Sequence, residues 1–150
     1  MLGYAWQATD RLLFEVNATW TDWSSFDTFR LETAGGTIEQ PFDYSPSWVV
    51  GGGLAYEVNE QLTLNGGYLF GEETVPDSAF NPLVPDSNLH VLSTGFQYRF
   101  SSVEVAATYL YGFRESRTVS GSPASLAGIS SDGRWSTDGH TLLVSVKKTF

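Results

Sequence analysis

Apolar and polar side chains alternate along most of this chain, and a period of two predicts β-strands. In the segment VEVAATYLYGF, residues 103–113, Val105 and Tyr111 lie on one face of such a strand, and Glu104 and Thr108 lie on the other. Similar alternating segments begin near residues 2, 12, 48, 62, 89 and 140. Helical periodicity is nearly absent, so we predict an all-β, antiparallel, up-and-down chain of about seven to eight strands.

The alternation alone does not decide what each face touches. In a soluble sheet the apolar face packs inward and the polar face meets water. In a transmembrane β-barrel the apolar face meets lipid and the polar face lines the lumen. The lengths of the connections and the positions of the aromatic residues distinguish the two cases.

The predicted connections alternate between short and long. The tight turns fall at residues 9–11, 59–61 and 101–102. The long loops cover approximately residues 33–47, 72–87 and 115–137. Most prolines lie in the long loops, as turn chemistry requires. Short turns at one end and long loops at the other are typical of bacterial outer-membrane barrels.

Aromatic residues on the apolar face gather near the strand ends. Near the tight turns these are Tyr56, Tyr98, Phe100 and Phe150, and near the long loops they are Trp48, Tyr68, Phe70, Tyr111 and Phe113. Aliphatic residues lie between the two groups. Because two aromatic girdles around an aliphatic band match the two interfaces of a bilayer, we predict a transmembrane β-barrel with lipid against the apolar face.

One segment allows two interpretations, because the apolar parity changes between Trp20 and Trp23. A hairpin at residues 22–25 or one long strand with a β-bulge would explain the change. The hairpin would move the 33–47 loop to the end that holds the tight turns, so we favour one long bulged strand. The first and last of seven strands then run in the same direction, whereas an antiparallel barrel needs an even number. We therefore expect part of a larger barrel, or assembly with another copy or with missing strands.

The composition limits the functions that the chain can have. The 150 residues carry a net charge of −9, which argues against nucleic-acid binding. Cysteine is absent, and the two histidines, His90 and His140, fall on the lipid-facing side, so we expect no catalytic residue, no metal site and no cofactor. No apolar run reaches the roughly 18 residues of a transmembrane helix. No signal peptide follows Met1, and we expect residues 1–150 to form a single barrel segment.

Three segments resemble the C-terminal half of the FadL/TodX family of outer-membrane channels. They are ATWTDWSSFDTFRLE (18–32), ETVPDSAFNPLVPDSNLH (73–90) leading into VLSTGFQYRF, and VEVAATYLYGF (103–113). The resemblance implies the C-terminal part of a fourteen-stranded barrel that carries long-chain fatty acids and other hydrophobic compounds. The family commonly has Asp-Arg-His where this chain has Asn88, Leu89 and His90, and often ends in Tyr-Arg-Phe where this chain has Lys148, Thr149 and Phe150. The family's N-terminal plug and lateral opening have no counterpart here.

Candidate binding residues are the exceptions on the polar, lumen-facing side. Its apolar residues are Leu13, Val49, Leu69, Val91, Leu110 and Leu143, which would line a path for a hydrophobic substrate or pack against a plug. The cations Arg30 and Arg114 lie near the loop end, where either could hold a fatty-acid carboxylate. The mid-strand glycines at 51–53 and 66–67 would allow a kink or close ligand approach, or relieve crowding.

These observations favour an outer-membrane channel segment for passive uptake of fatty acids or other hydrophobic molecules in a Gram-negative cell. The expected partners are membrane lipid and, through the terminal Phe150, the barrel-assembly machinery. The long loops would be extracellular and the C-terminus periplasmic. The alternative is a small self-contained outer-membrane barrel with a structural, adhesive or lipid-hydrolase role. A soluble lipid-binding barrel fits the girdles and the loop lengths less well.

Overall fold

A computed structural model describes residues 1–25, 28–33, 35–81, 85–120 and 131–148. Its strands are β1 (Leu2–Thr9), β2 (Leu12–Thr21), β3 (Thr28–Thr33), β4 (Gly36–Pro41), β5 (Ser47–Glu57), β6 (Leu62–Gly71), β7 (Leu89–Phe100), β8 (Val103–Val119) and β9 (Gly133–Lys148). Over the described ranges the helical structure is a single 3₁₀ turn at Asp77–Ala79. Seven strands form one antiparallel sheet in the order β1-β2-β5-β6-β7-β8-β9, and β3 and β4 pair separately. The prediction of an all-β antiparallel fold is confirmed.

Strand register sorts the side chains into two faces, as the alternation predicts. One row across the sheet joins Leu13, Ala55, Asn65, Gly95, Thr108 and Leu143. The next row joins Leu12, Tyr56, Leu64, Phe96, Ala107 and Val144. The first row belongs to the face predicted to line a lumen, and the second to the face predicted to meet lipid.

The sheet curves toward the first of these faces. Apolar residues there, such as Leu69 and Leu110, are partly buried. On the opposite face Leu54, Leu64 and Leu92 are 44%, 44% and 49% exposed. We call the concave side the inner face and the convex side the outer face. Among the described residues no pairing joins β1 to β9, so the sheet is an open wall.

The turns between strands sort to opposite ends of the wall. Short turns join β1 to β2, β5 to β6 and β7 to β8, while the longer connections cover residues 22–46, 72–88 and 120–132. In the β5–β6 turn the side-chain oxygen of Asn59 accepts hydrogen bonds from the backbone N–H groups of Gln61 and Leu62, each at 2.9 Å. This local side-chain bonding explains why so short a turn can reverse the chain.

The prediction of one long bulged strand over residues 12–32 is wrong. Strand β2 ends at Thr21, and the Oδ1 atom of Asp22 accepts a hydrogen bond of 2.9 Å from the Ser24 N–H. Bonds to Ser24 lower the pKa of Asp22. The chain then makes the β3–β4 hairpin and returns to the same end, where Trp48 of β5 pairs with Trp20. The parity change therefore marks a turn, and the hairpin is an excursion within a long connection.

The loop predicted at residues 115–137 is also shorter than expected. Strand β8 continues to Val119 and β9 starts at Gly133, so this hairpin extends beyond its neighbours. Its register shifts between Arg114 and Arg117, the mark of a β-bulge. Polar side chains in this extension obscured the strand signal, since they follow no apolar alternation.

The first prediction concerns the two faces. Replacing outer-face Ala107 by Arg places a cation against lipid, which we expect to cost roughly 2–4 kcal/mol of folding free energy in a bilayer near the midplane. Replacing the adjacent inner-face Thr108 by Arg should cost far less, because that side chain points into the lumen. Denaturant titration in phospholipid vesicles measures both values, and equal penalties would contradict the assignment of the faces.

Candidate functional site

The inner face carries a concavity of about 420 Å³ in the middle of the sheet. Strands β2, β5, β6, β7 and β8 all contribute to it. Its apolar side chains include Leu13, Leu69, Val91 and Leu110, and its polar ones include Glu15, Asn17, Asn65 and Ser93. An apolar hollow with a few polar groups at its edges is the usual form of a site for a small hydrophobic molecule.

Glycine shapes this concavity by leaving the backbone bare. Gly53 of β5 pairs directly with Gly67 of β6, and both lie on the inner face. A Cβ atom on Gly67 would come within 3.0 Å of the Ser93 Oγ and 3.2 Å of the Gly52 carbonyl oxygen. The Ser93 hydroxyl thus lies directly against the backbone of Gly67. The residue pairing is unbroken through residues 51–53 and 66–67, so these glycines mark no kink.

A second glycine in close contact with its neighbours is Gly95, which lies two residues nearer the tight turns than the partner of Gly67. A Cβ atom on Gly95 would come within 2.6 Å of the Ala107 carbonyl oxygen. It would also lie 2.8 Å from the Oδ1 of Asn65 and 2.8 Å from the Oγ1 of Thr108. Only glycine fits there without a shift of the backbone. Polar side chains from both neighbouring strands, Asn65 and Thr108, therefore lie close over Gly95.

The structure brings together four of the six apolar residues singled out on the inner face. Leu13, Leu69, Val91 and Leu110 line the concavity. Val49 lies on the same face but nearer the long loops, opposite Gly71. Leu143 lies opposite Thr108 on the edge strand β9 and is 56% exposed. The sequence analysis did not single out Asn17, Asn65 or Ser93, whose signal is an inner-face position beside a glycine. A binding role for all of these residues remains a prediction.

The two predicted carboxylate anchors lie elsewhere. The Nε of Arg30 is 2.9 Å from the Oε1 of Glu39 within the β3–β4 hairpin. The Nη1 of Arg114 is 3.0 Å from the Oδ1 of Asp86 and donates to the Ser87 carbonyl oxygen. Neither arginine lines the concavity in the described part of the chain. The predicted assembly signal, Phe150, lies outside the described residues.

Asp86, which was not among the candidate residues from the sequence, organises the 72–88 connection. Its Oδ2 atom accepts hydrogen bonds from the backbone N–H groups of Thr74 at 2.6 Å and Val75 at 2.9 Å. The Thr74 hydroxyl donates to the same oxygen at 3.0 Å. With Arg114 on the Oδ1 atom, the carboxylate holds both ends of the connection to β8. Burial, and then the negative charge of Asp86, raise the pKa of the nearby Tyr44 phenol.

Arg117 also holds this connection, and it was not among the candidate residues from the sequence. We call Asp77, Asp86, Arg114 and Arg117 together the clasp. Its Nη2 and Nε atoms donate to the Oδ1 of Asp77 at 2.6 and 3.0 Å. Its guanidinium carbon lies 5.4 Å from the ring centre of Phe80, which packs on Trp135 at 5.7 Å. Among the described residues the buried apolar side chains are Val75, Ala79, Phe80 and Val119. All of them lie in the 72–88 connection or at the end of β8, next to the clasp. The bulge that turns Arg117 inward follows no pattern in the sequence.

In the described part of the chain no group of three or more His, Cys, Asp or Glu side chains could hold a metal ion. No helix there is long and apolar enough to cross a membrane. His90 and His140 lie on the outer face, opposite Phe113 and Tyr111 of β8.

A curved antiparallel wall with an aromatic and aliphatic outer face defines the chain as a segment of an outer-membrane β-barrel. The sequence matches the family described as outer membrane protein transport protein (OMPP1/FadL/TodX) over residues 1–150, and the chain belongs to this family. The resemblance seen in the sequence is thereby confirmed, and with it the outer membrane as the location. The family is one of transport proteins, in line with the expectation that the chain is not an enzyme.

Relatives and solved structures agree. A long-chain fatty acid transport protein of Salmonella typhi is 29% identical over 98 residues, which cover 62% of this chain and 22% of that protein. Outer membrane protein P1 of Haemophilus influenzae is 26% identical over 122 residues, covering 75% of this chain and 26% of that protein. The structure of a Pseudomonas aeruginosa FadL homologue matches with a TM-score of 0.75 and 28% identity over 96% of this chain. It shares the barrel fold.

A further structure supports the fold alone. The monoaromatic hydrocarbon channel CymD matches 98% of this chain with a TM-score of 0.62 and 21% identity. The chain covers 34% of CymD and 32% of the Pseudomonas protein. It therefore spans about a third of the solved channels and a smaller share of the curated relatives.

The second prediction tests the clasp. Replacing Asp86 by Ala removes the acceptor of two loop N–H groups and the partner of Arg114, and hydrogen bonds to charged groups are each worth about 1.5–3 kcal/mol. Amide hydrogen exchange at Thr74 and Val75 should therefore accelerate roughly tenfold or more. The matched control replaces Asp10, an exposed acid in the β1–β2 turn, and should leave both amides unchanged. Unchanged exchange in the Asp86 variant would show that the clasp does not order the connection.

Proposed function

We propose that this chain forms part of the wall of an outer-membrane channel for passive uptake of hydrophobic molecules, long-chain fatty acids among them. The observation that carries the proposal is the inner-face concavity, where the aliphatic side chains Leu13, Leu69, Val91 and Leu110 surround bare glycine backbone. A water-filled pore has no use for such a lining. The name of a curated relative, a long-chain fatty acid transport protein, supports the same substrate class.

The concavity suits transient binding. Each methylene that leaves water for an apolar surface contributes about 0.8 kcal/mol when it is fully buried. A hollow that is open on one side buries only part of an alkyl chain. The free energy of burial then favours binding but is small enough to allow release. Passage from water to an apolar lining and on to lipid runs downhill, since each step removes apolar surface from water. Uptake of this kind needs no energy-coupling site.

The polar residues around the hollow have a complementary role. Glu15, Asn17 and Ser93 line the concavity together with the aliphatic side chains, where they can hold water beside the hydrophobic path. The carboxylate-anchoring role predicted for Arg30 and Arg114 is not part of this proposal, because each guanidinium already pairs with an acidic side chain. Binding in this part of the wall would then rest on apolar shape and not on a cationic anchor.

The orientation of the wall belongs to the proposal as well. Outer-membrane barrels carry short turns on the periplasmic side and long loops on the outside. The 22–46 and 72–88 connections would therefore be extracellular, and the ordered clasp around Arg117 would stand at the mouth of the channel. The C-terminus would be periplasmic, where Phe150 would be available to the barrel-assembly machinery.

The third prediction uses two neighbouring glycines, at which an added side chain would point to opposite faces of the sheet. Gly53→Leu projects a side chain into the concavity, whereas Gly52→Leu projects one from the outer face, where a Cβ atom has its nearest neighbours at 3.4 and 3.6 Å. We expect the Gly53 variant to slow fatty-acid uptake roughly tenfold, equivalent to about 1.4 kcal/mol. The Gly52 variant should transport at the unmodified rate.

The measurement is uptake of a labelled long-chain fatty acid by cells that lack their own transporter and produce the full-length protein. Heat-modifiable migration in gels, a property of folded barrels, confirms that both variants are assembled. Equal rates for two folded variants would show that the concavity lies off the transport path.

A further inference from the structure

The inner-face concavity carries its charge on one side and an aliphatic cluster on the other. Glu15 of β2 is the one charged side chain among the described residues that line it. Leu69, Val91 and Leu110 lie together on β6, β7 and β8, since Leu69 pairs directly with Val91. Strand β6 lies two strands away from β2, and neighbouring strands are about 4.8 Å apart, so roughly 10 Å separate the charged side from the aliphatic side.

The floor between the two sides is bare backbone. In one row across the sheet Glu15 faces Gly53. In the next row Asn17 faces Gly51, which in turn faces Leu69. Because no side chain rises from these glycines, an elongated molecule can lie across the strands. One of its ends then lies at Glu15 and the other over the aliphatic cluster.

The carboxylate of Glu15 meets no positive charge among the described residues around it. Strand β2 lies between β1 and β5, so both cross-strand neighbours of Glu15 belong to this chain. The surrounding inner-face residues are all uncharged, and they are Gly3, Ala5, Gln7, Leu13, Asn17, Gly51, Gly53 and Ala55. The Glu15 side chain is exposed in the concavity. An anion about 4 Å away in water would lose roughly fivefold in affinity through charge repulsion.

Asn17 supplies the hydrogen-bond donor that Glu15 lacks. The two side chains lie on the same face of β2, roughly 7 Å apart along the strand. The Asn17 amide lies close over Gly51, where a Cβ atom would meet its Oδ1 at 3.2 Å and its Nδ2 at 3.5 Å. A hydroxyl group matches this pair, because it can donate to the carboxylate and accept from the amide. An ammonium group accepts nothing and an ionised acid donates nothing, so neither satisfies both side chains.

We propose that the concavity binds hydrophobic molecules whose head group is an uncharged O–H, such as a long-chain alcohol or a fatty acid in its protonated form. The head group lies between Glu15 and Asn17, and the alkyl chain crosses the glycine floor to Leu69, Val91 and Leu110. Glu15 determines the specificity, because it accepts from an O–H group and repels an anion. This inference rests on the proposed function and adds the head group to it.

The test measures how two unlabelled competitors slow the uptake of a labelled long-chain fatty acid by cells that lack their own transporter and produce the full-length protein. Dodecan-1-ol carries an uncharged hydroxyl, and dodecane-1-sulfonate has the same chain length but a head group that stays anionic. Free concentrations are measured in the medium, so loss of competitor into membranes does not enter the comparison. We expect the alcohol to inhibit at a roughly fivefold lower free concentration than the sulfonate.

Three variants assign the effect to named side chains. Glu15→Gln keeps the shape and removes the charge, so the sulfonate should become roughly fivefold more effective while the alcohol changes by no more than about twofold. Asn17→Ala removes the donor and should weaken the alcohol roughly threefold without helping the sulfonate. Glu57→Gln is the matched control, because Glu57 lies on the inner face opposite Thr63, four residues along β5 from Gly53. It should leave both competitors unchanged.

Two results would overturn the proposal. Equal inhibition by the two competitors in the unmodified protein would mean that the charge of Glu15 is neutralised in the complete barrel. A preference for the alcohol that persists in a folded Glu15→Gln variant would mean that Glu15 does not set it. In both cases a Gly53→Leu variant with slowed uptake would leave the transport proposal standing, whereas unchanged uptake in a folded Gly53→Leu variant would overturn both proposals.

Discussion

Backbone hydrogen bonding is the constraint on which this structure depends, because lipid offers no partner to an exposed N–H or C=O group. The ladder from β1 to β9 satisfies that constraint for the strands that lie between the two edges of the wall. Its register shifts only beside a turn, between Gln7 and Thr9, and between Arg114 and Arg117 near the long loops. A continuous ladder leaves little freedom to the backbone, so the wall varies mainly through the size and polarity of its side chains.

The inner-face concavity follows from this limitation. On the inner face the glycine pair Gly53 and Gly67 removes side chains without disturbing the pairing, and a hollow forms above bare backbone. Since successive residues of one strand point to opposite sides, a single strand such as β7 can contribute to a lumenal surface and a lipid surface independently. The same alternation that made the strands predictable thus separates the two faces of the wall.

Sequence reasoning succeeded where a regular period decides the structure. It predicted the strands, both faces, the end at which the long connections lie, and the inner position of Leu13, Leu69, Val91 and Leu110. It failed where a contact between distant segments decides. The β3–β4 hairpin depends on a turn at Asp22, and the clasp depends on a bulge that brings Arg117 to Asp77, 40 residues away in sequence. Neither bond leaves a periodic trace in the sequence.

The central claim is that the outer face meets lipid and the inner face meets an aqueous lumen. The most direct test is spin-label accessibility at single cysteines introduced one at a time over residues 103–113 of the full-length protein in lipid vesicles, since this chain has no cysteine of its own. The account predicts that labels at odd-numbered positions are reached by oxygen, which dissolves in lipid, and that labels at even-numbered positions are reached by a polar paramagnetic reagent. Odd-numbered positions shielded from both reagents would mean a dry protein core and would contradict the account.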